Sequence, residues 1–227
     1  MQLHGYNPGD ISRLQKLSNM ELSYSSLSGP FPAVVFQLRN LYQLELYNNS
    51  LSGELSKRDW SNLVALRLID LSVNSFTGTI PVELCKLPLS SVGLSDNKLQ
   101  GLIPESLARS PNLYDLRLFD NSLVGPLPSD LGSNSPLQTL DVSFNKLFGE
   151  IPSSLCGKGG LFDLVLIGNS FSGELPASLG ECKSLGRVRL SSNKLSGEVP
   201  GVIFGNLRVL NYLDLSIIHS PETDWII

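Results

Sequence analysis

The chain has 227 residues, of which 41% are hydrophobic and 17% charged, with a net charge of −4. The length admits one or two globular domains, and the negative balance argues against non-specific nucleic-acid binding. Only two histidines, His4 and His219, and three cysteines are present, so a His-based triad or metal cluster has nothing to build on; no cofactor or metal is expected.

Asparagine recurs along the chain at Asn49, Asn74, Asn97, Asn121, Asn145, Asn169 and Asn193, at intervals of 23 to 25 residues. Each is followed two residues later by Leu or Phe, then by a glycine (Gly53, Gly78, Gly101, Gly125, Gly149, Gly173, Gly197). A proline usually follows (Pro81, Pro104, Pro128, Pro152, Pro176, Pro200). The run from Leu140 to Pro152 shows the unit whole: L-x-L-x-x-N-x-L-x-G-x-I-P. This pattern is identified as the leucine-rich repeat in its plant-type form. It predicts an α/β solenoid, a right-handed superhelix of about nine turns with a parallel sheet on its concave face. The Asn is read as structural, its amide satisfying backbone groups at an inward bend. The Gly is assigned to a position where a Cβ would crowd, and the Pro to the stiff exit from the sheet.

The chain opens inside a repeat. Leu3 to Pro8 reads as a partial turn, and Ser25 to Pro32 is a full unit with Ser25 in place of the Asn. Strands recur at the repeat spacing, and Leu213 begins a ninth, in which Ile218 takes the Asn position. Residues 1–216 are expected to form one solenoid and residues 217–227, with His219, Pro221 and Trp225, a non-repeat tail. Neither an apolar leader nor an apolar run long enough to span a membrane is present, so no direct membrane insertion is expected. Two uncapped apolar ends would make such a solenoid poorly soluble, which predicts a fragment of something longer or a truncated gene product.

Cys156 and Cys182 fall at nearly the same offset in adjacent turns, so a disulfide or a pair of small buried thiols fits them equally. Cys85 lies three turns from Cys156 and stays free in either case. One glycosylation sequon occurs, Asn48-Asn49-Ser50, compatible with secretion.

Period-2 alternation assigns the outward residues of each strand. In chain order they are Asn19, Glu21 and Ser23; Gln43, Glu45 and Tyr47; Leu68, Asp70 and Ser72; Ser91, Gly93 and Ser95; then Asp115, Arg117 and Phe119. The last four turns present Thr139, Asp141 and Ser143; Asp163, Val165 and Ile167; Arg187, Arg189 and Ser191; and Tyr212, Asp214 and Ser216. Paired carboxylates such as Asp115 and Asp141 are expected on open surface, without the desolvation that acid–base chemistry needs. Two features suit an extended guest: Arg187 and Arg189, projecting side by side from one strand, and the acids and hydroxyls Glu45, Asp70, Ser72 and Ser91. Two guanidinium groups at that spacing can hold one carboxylate through charge-assisted hydrogen bonds. Six turns separate Glu45 from Arg189, about 29 Å at the inter-strand distance, which an extended peptide of about nine residues covers.

Several stretches carry a closer resemblance: Ser110 to Asn121, Leu131 to Leu137, Gly149 to Pro152 through Gly157, Leu166 to Gly173, and Cys182 to Gly197. The chain resembles the ectodomains of plant leucine-rich-repeat receptor-like kinases of subfamily XI, most of all the HAESA and HAESA-like receptors. The match is close from about residue 41 to residue 200 and looser before it. The resemblance implies no enzyme activity in this segment, because the family's kinase lies elsewhere. It implies a secreted, hydroxyproline-containing peptide as ligand, a co-receptor kinase ectodomain as second partner, and the extracellular face of the plasma membrane as location. Carried over residue by residue, the family's R-x-R clamp for the peptide C-terminus matches Arg187 and Arg189. An acid near the hydroxyproline pocket matches Glu45, a neighbouring serine matches Ser91, and an aromatic of that pocket is replaced by Ile69. Asp70, Arg117 and Asp141 complete the expected peptide-binding set. A stand-alone protein-interaction module of the enzyme-inhibitor type, or a truncated product without function, is the competing expectation.

Overall fold

The computed structural model describes residues 11, 13–197, 199, 201 and 207–216. The partial turn expected at residues 1–8, Pro200, both histidines and the tail at residues 217–227 lie outside the described residues. One short strand forms per turn: Asn19–Glu21, Gln43–Glu45, Leu68–Asp70, Ser91–Gly93, Asp115–Arg117, Thr139–Asp141, Asp163–Val165, Arg187–Arg189 and Tyr212–Asp214. They pair in parallel and in sequence order as one nine-stranded sheet. The fold is the leucine-rich-repeat solenoid that the repeat pattern predicts.

The middle residue of each strand points inward. Met20, Leu44, Ile69, Val92, Leu116, Leu140, Leu164 and Val188 are stacked in register and buried. Burying one such side chain contributes about 1.5–3 kcal/mol. That gain exists only when a neighbouring turn covers the side chain, so stability resides in the contacts between turns. In the final strand the equivalent Leu213 is 37% exposed.

A second sheet, which the repeat pattern alone does not announce, runs along the next edge. Its eight parallel strands are Ser28–Pro30, Ser50–Glu54, Ser75–Thr79, Lys98–Gly101, Ser122–Gly125, Lys146–Gly149, Ser170–Gly173 and Lys194–Leu195. Each of the last seven carries the apolar residue that follows the repeat Asn, and Leu51, Phe76, Leu99, Leu123, Leu147, Phe171 and Leu195 are all buried.

Between the two sheets the repeat Asn ties turn to turn. Asn145 Nδ2 donates to Leu118 O of the preceding turn (3.0 Å) and to Val142 O (3.1 Å) and Ser143 O (3.2 Å) of its own. Its Oδ1 accepts from Leu123 N (2.9 Å), again one turn back. Asn74, Asn97, Asn121, Asn169 and Asn193 make the same set, and Asn49 a close variant of it. The bend that admits this amide needs a left-handed residue just before it. Tyr24, Asn48, Val73, Asp96, Asp120, Phe144 and Ser192 take φ between 49° and 57° there, and Gly168 takes 68°.

The repeat glycines all take φ between +77° and +98°, and at Gly78, Gly101, Gly125 and Gly197 a Cβ would also stand 2.3–2.9 Å from a neighbouring side chain, as expected. At Gly53 nothing lies within 4 Å of where a Cβ would stand, yet φ is +98°. Backbone conformation, not crowding, requires glycine at that position. Past it, the proline carbonyl accepts from the leucine three residues on, as in Leu107 N to Pro104 O (3.0 Å) and Leu179 N to Pro176 O (3.0 Å). These closures make short 3₁₀ segments; one α-helical turn, Val82–Cys85, occurs among the described residues.

Cys156 and Cys182 are joined as a disulfide with Cα atoms 5.5 Å apart, linking two adjacent 3₁₀ segments. Cys85 is free and buried, and burial pushes its thiol up to about 12. An aromatic cluster absent from the sequence expectations fills the early turns. Trp60 is fully buried, donates Nε1–H to Leu55 O (3.1 Å) and packs on Phe31 and Phe36, each with ring centroids 5.2 Å away.

Candidate functional site

Two outward rows cross the nine-stranded sheet. The first runs Asn19, Gln43, Leu68, Ser91, Asp115, Thr139, Asp163, Arg187 and Tyr212. The second runs Glu21, Glu45, Asp70, Gly93, Arg117, Asp141, Val165, Arg189 and Asp214. Both arginines of the R-x-R strand stand in these rows, flanking the buried Val188.

At the first end, Asn19 Nδ2 donates to Gln43 Oε1 (2.7 Å), and Gln43 Nε2 donates to Glu45 Oε1 (2.5 Å). This relay fixes the Glu45 carboxylate across two strands. The apolar member of its surroundings is not Ile69, which is 2% exposed and lies in the core row. Leu68, half-buried between Gln43 and Ser91 in register, is the outward apolar residue of that strand, because neighbouring strand positions point to opposite faces. Ser91 Oγ donates to Asp115 Oδ2 (3.1 Å), and Arg117 Nε holds Asp115 Oδ1 at 3.0 Å.

Asp70 leans over Gly93. A Cβ at Gly93 would stand 2.7 Å from Asp70 Oδ1 and 3.1 Å from Ser72 Oγ. Burial raises the Asp70 carboxyl above the usual aspartate range; hydrogen bonds from Ser72 oppose that, Glu45 adds to it, and Arg117 opposes it. Asp141 differs from the open carboxylate expected. It is half-buried, accepts Ser143 N–H (3.0 Å) and Ser143 Oγ–H (2.5 Å), and is also raised by burial. An Asp-x-Ser pattern recurs at Asp70, Asp141 and Asp214, whose Oδ1 atoms accept the N–H two residues on. That local bond spends one carboxylate oxygen on the protein's own backbone.

At the other end the two arginines splay. Arg187 Nε reaches back to Asp163 Oδ1 at 3.3 Å, whereas the Arg189 guanidinium reaches forward, 5.7 Å from the centroid of the Tyr212 ring. Asp214 accepts hydrogen bonds from Ser216 Oγ (2.7 Å) and Ser191 Oγ (2.8 Å). Those bonds, the Ser216 one first, hold it below the usual aspartate range, with Arg189 assisting. Asp163 and Tyr212 were outward by alternation but unconnected to the arginines in the sequence; their signal was the shared register with Arg187. Among the described residues no group of acids and thiols is arranged to hold a metal ion, and no helix is long and apolar enough to cross a membrane.

A family model described as Leucine Rich Repeat matches residues 65–87 and 136–157. The crystal structure of the Arabidopsis receptor kinase HAESA, in complex with the peptide hormone IDA and the co-receptor SERK1, superposes with a TM-score of 0.87 at 50% identity. That alignment covers 92% of this chain and 35% of HAESA's. The chain has the leucine-rich-repeat fold and is similar in it to a segment of plant receptor ectodomains. A structure described as a TDR receptor gives a TM-score of 0.87 at 42% identity, covering 91% of this chain and 36% of its own. Receptor-like protein 35 of Arabidopsis thaliana is 40% identical over 130 residues, covering 54% of this chain and 14% of the relative. The chain thus spans 14% of that relative and about a third of each of those structures. The HAESA LRR ectodomain in complex with an N-terminally extended IDA peptide matches as well, with a TM-score of 0.84 at 48% identity, covering 91% of this chain and 35% of its own.

Proposed function

We propose that the chain is a ligand-binding portion of a HAESA-like, subfamily XI receptor ectodomain. It binds an extended secreted peptide across the nine-stranded face, with the peptide's C-terminal carboxylate at Arg187 and Arg189. The observation that carries this reading is the charge order along the second outward row. Glu21, Glu45 and Asp70 stand at one end; Arg189 stands last but one at the other, before Asp214, whose carboxylate is engaged by Ser191 and Ser216, with Arg187 beside it in the first row. A free carboxylate is attracted to one end of such a row and repelled from the other, which fixes guest direction as well as affinity.

Glu45, Leu68 and Ser91 line the upstream pocket, where a hydroxyproline ring finds apolar contact beside acceptors. Asp70, Arg117 and Asp141 contact the middle of the guest. A co-receptor kinase ectodomain is the second partner, the location is the extracellular face of the plasma membrane, and Asn48 carries an N-linked glycan. The half-buried Asn48 stands beside Tyr24, Ser26 and Ser50 at the sheet edge, away from the arginines.

The test uses a pooled library of hydroxyproline-containing nine-residue peptides with free C-termini, and the same library amidated. The full chain should retain the free-acid pool and release the amidated one. Equal retention of both pools removes the proposed role of the arginines. Retention of a folded enzyme with neither pool retained favours the protein-interaction module instead.

A further inference from the structure

The cluster at the R-x-R strand is internally paired, and the pairing is incomplete. Arg187 Nε lies 3.3 Å from Asp163 Oδ1, with the Arg187 side chain 49% and the Asp163 side chain 21% exposed. The distance is that of an ion pair, but the angle is not that of a hydrogen bond: Asp163 Oδ1 is a buried acceptor without one. Arg189 Nε is likewise a buried donor without a hydrogen bond, its guanidinium turned to the Tyr212 ring. The carboxylate that neutralises Arg187 thus comes from the adjacent strand, in register with it.

We propose that Asp163 is an internal competitor for the carboxylate site, occupying Arg187 when no guest is bound and setting how strongly a guest must bind. This rests on the carboxylate-clamp reading of the two arginines. An arriving carboxylate takes the place of Asp163 at Arg187 and supplies the missing acceptor to Arg189. Asp163 is then left beside the guest carboxylate, and that like-charge contact lowers affinity for any acid. A neutral guest terminus gains nothing from the exchange and leaves the internal pair in place. The clamp is therefore weaker for a carboxylate than two unpaired arginines would be, and Asp163 is the residue that tunes it.

The test needs no knowledge of the natural peptide. Sodium acetate is titrated into the full chain at constant ionic strength, and the Arg187 and Arg189 Nε–H resonances are followed by NMR. In Asp163→Asn, which keeps the shape and one acceptor oxygen, half-saturation should fall about two- to fivefold, the range of a partly exposed ion pair. Asp130→Asn, the same charge change on an exposed loop outside both outward rows, should leave it unmoved. Equal half-saturation in Asp163→Asn and the parent, or an equal gain in Asp130→Asn, overturns the proposal. If acetate gains at Asp163→Asn while neither peptide pool is retained, the competitor stands and the peptide reading falls.

Discussion

At the scale of single residues, the bend before each repeat Asn is the costliest backbone feature. Most turns place Asp, Asn, Gly, Ser or an aromatic there, but Val73, β-branched, is held at φ 55°. A β-branched residue in the left-handed region costs on the order of 1–2 kcal/mol. Val73→Asn, which matches the residue at position 48, should therefore stabilise the fold by about 1 kcal/mol, read as a higher urea midpoint at unchanged slope. A second residue-scale prediction concerns Asp70. Its carboxyl is raised in the folded state by burial, so the folded protein binds more protons than the unfolded chain between the ordinary aspartate value and the raised one. Stability from this group falls as pH rises through that window and stays reduced above it. Asp70→Asn keeps an acceptor for Ser72 N–H and removes the buried charge. It should be more stable than the parent at neutral pH, with the difference vanishing in acid. A difference that does not depend on pH would contradict burial as the cause.

Elements show where sequence reading succeeds and where it stops. The repeat Asn and the inward leucines were legible because both are dictated by period and chemistry: a period of two assigns faces, and an amide satisfies a bend. Alternation also places Leu68 outward and Ile69 inward, so assigning Ile69 to the pocket ran against the strand's own pattern. The second sheet was not legible, because strands of two to five residues with serine, glycine and lysine carry no propensity signal of their own. They pair only because stacked turns bring them into register. The opposite lean of Arg187 and Arg189 was also out of reach, since long side chains choose torsions according to the partner on the adjacent strand. The Cys156–Cys182 bridge links two 3₁₀ segments 26 residues apart in sequence. A loop of that length, closed in the unfolded chain, is worth about 3.5 kcal/mol. Cys182→Ser, or reductant added to the parent, should lower unfolding stability by roughly that amount. Cys85, buried and with its thiol raised to about 12, should resist alkylation until the fold opens.

For the whole molecule, the repeat makes a long, regular scaffold whose interior is monotonous and whose outward rows are not. The interior rows repeat leucine, while the outward second row passes from Glu21 and Glu45 through Arg117 and Asp141 to Arg189 and Asp214. A surface of this kind reads a linear guest by position along its length, each strand adding a step of about 4.8 Å. The central claim is that direction is fixed by a carboxylate at the two arginines. It is tested most directly by calorimetric titration of one retained nine-residue peptide, free acid and amide, into the parent and Arg187→Ala/Arg189→Ala. The account predicts that the double substitution costs the free acid on the order of 2–5 kcal/mol and brings it down to the level of the amide. Unchanged free-acid affinity in the double variant would contradict it.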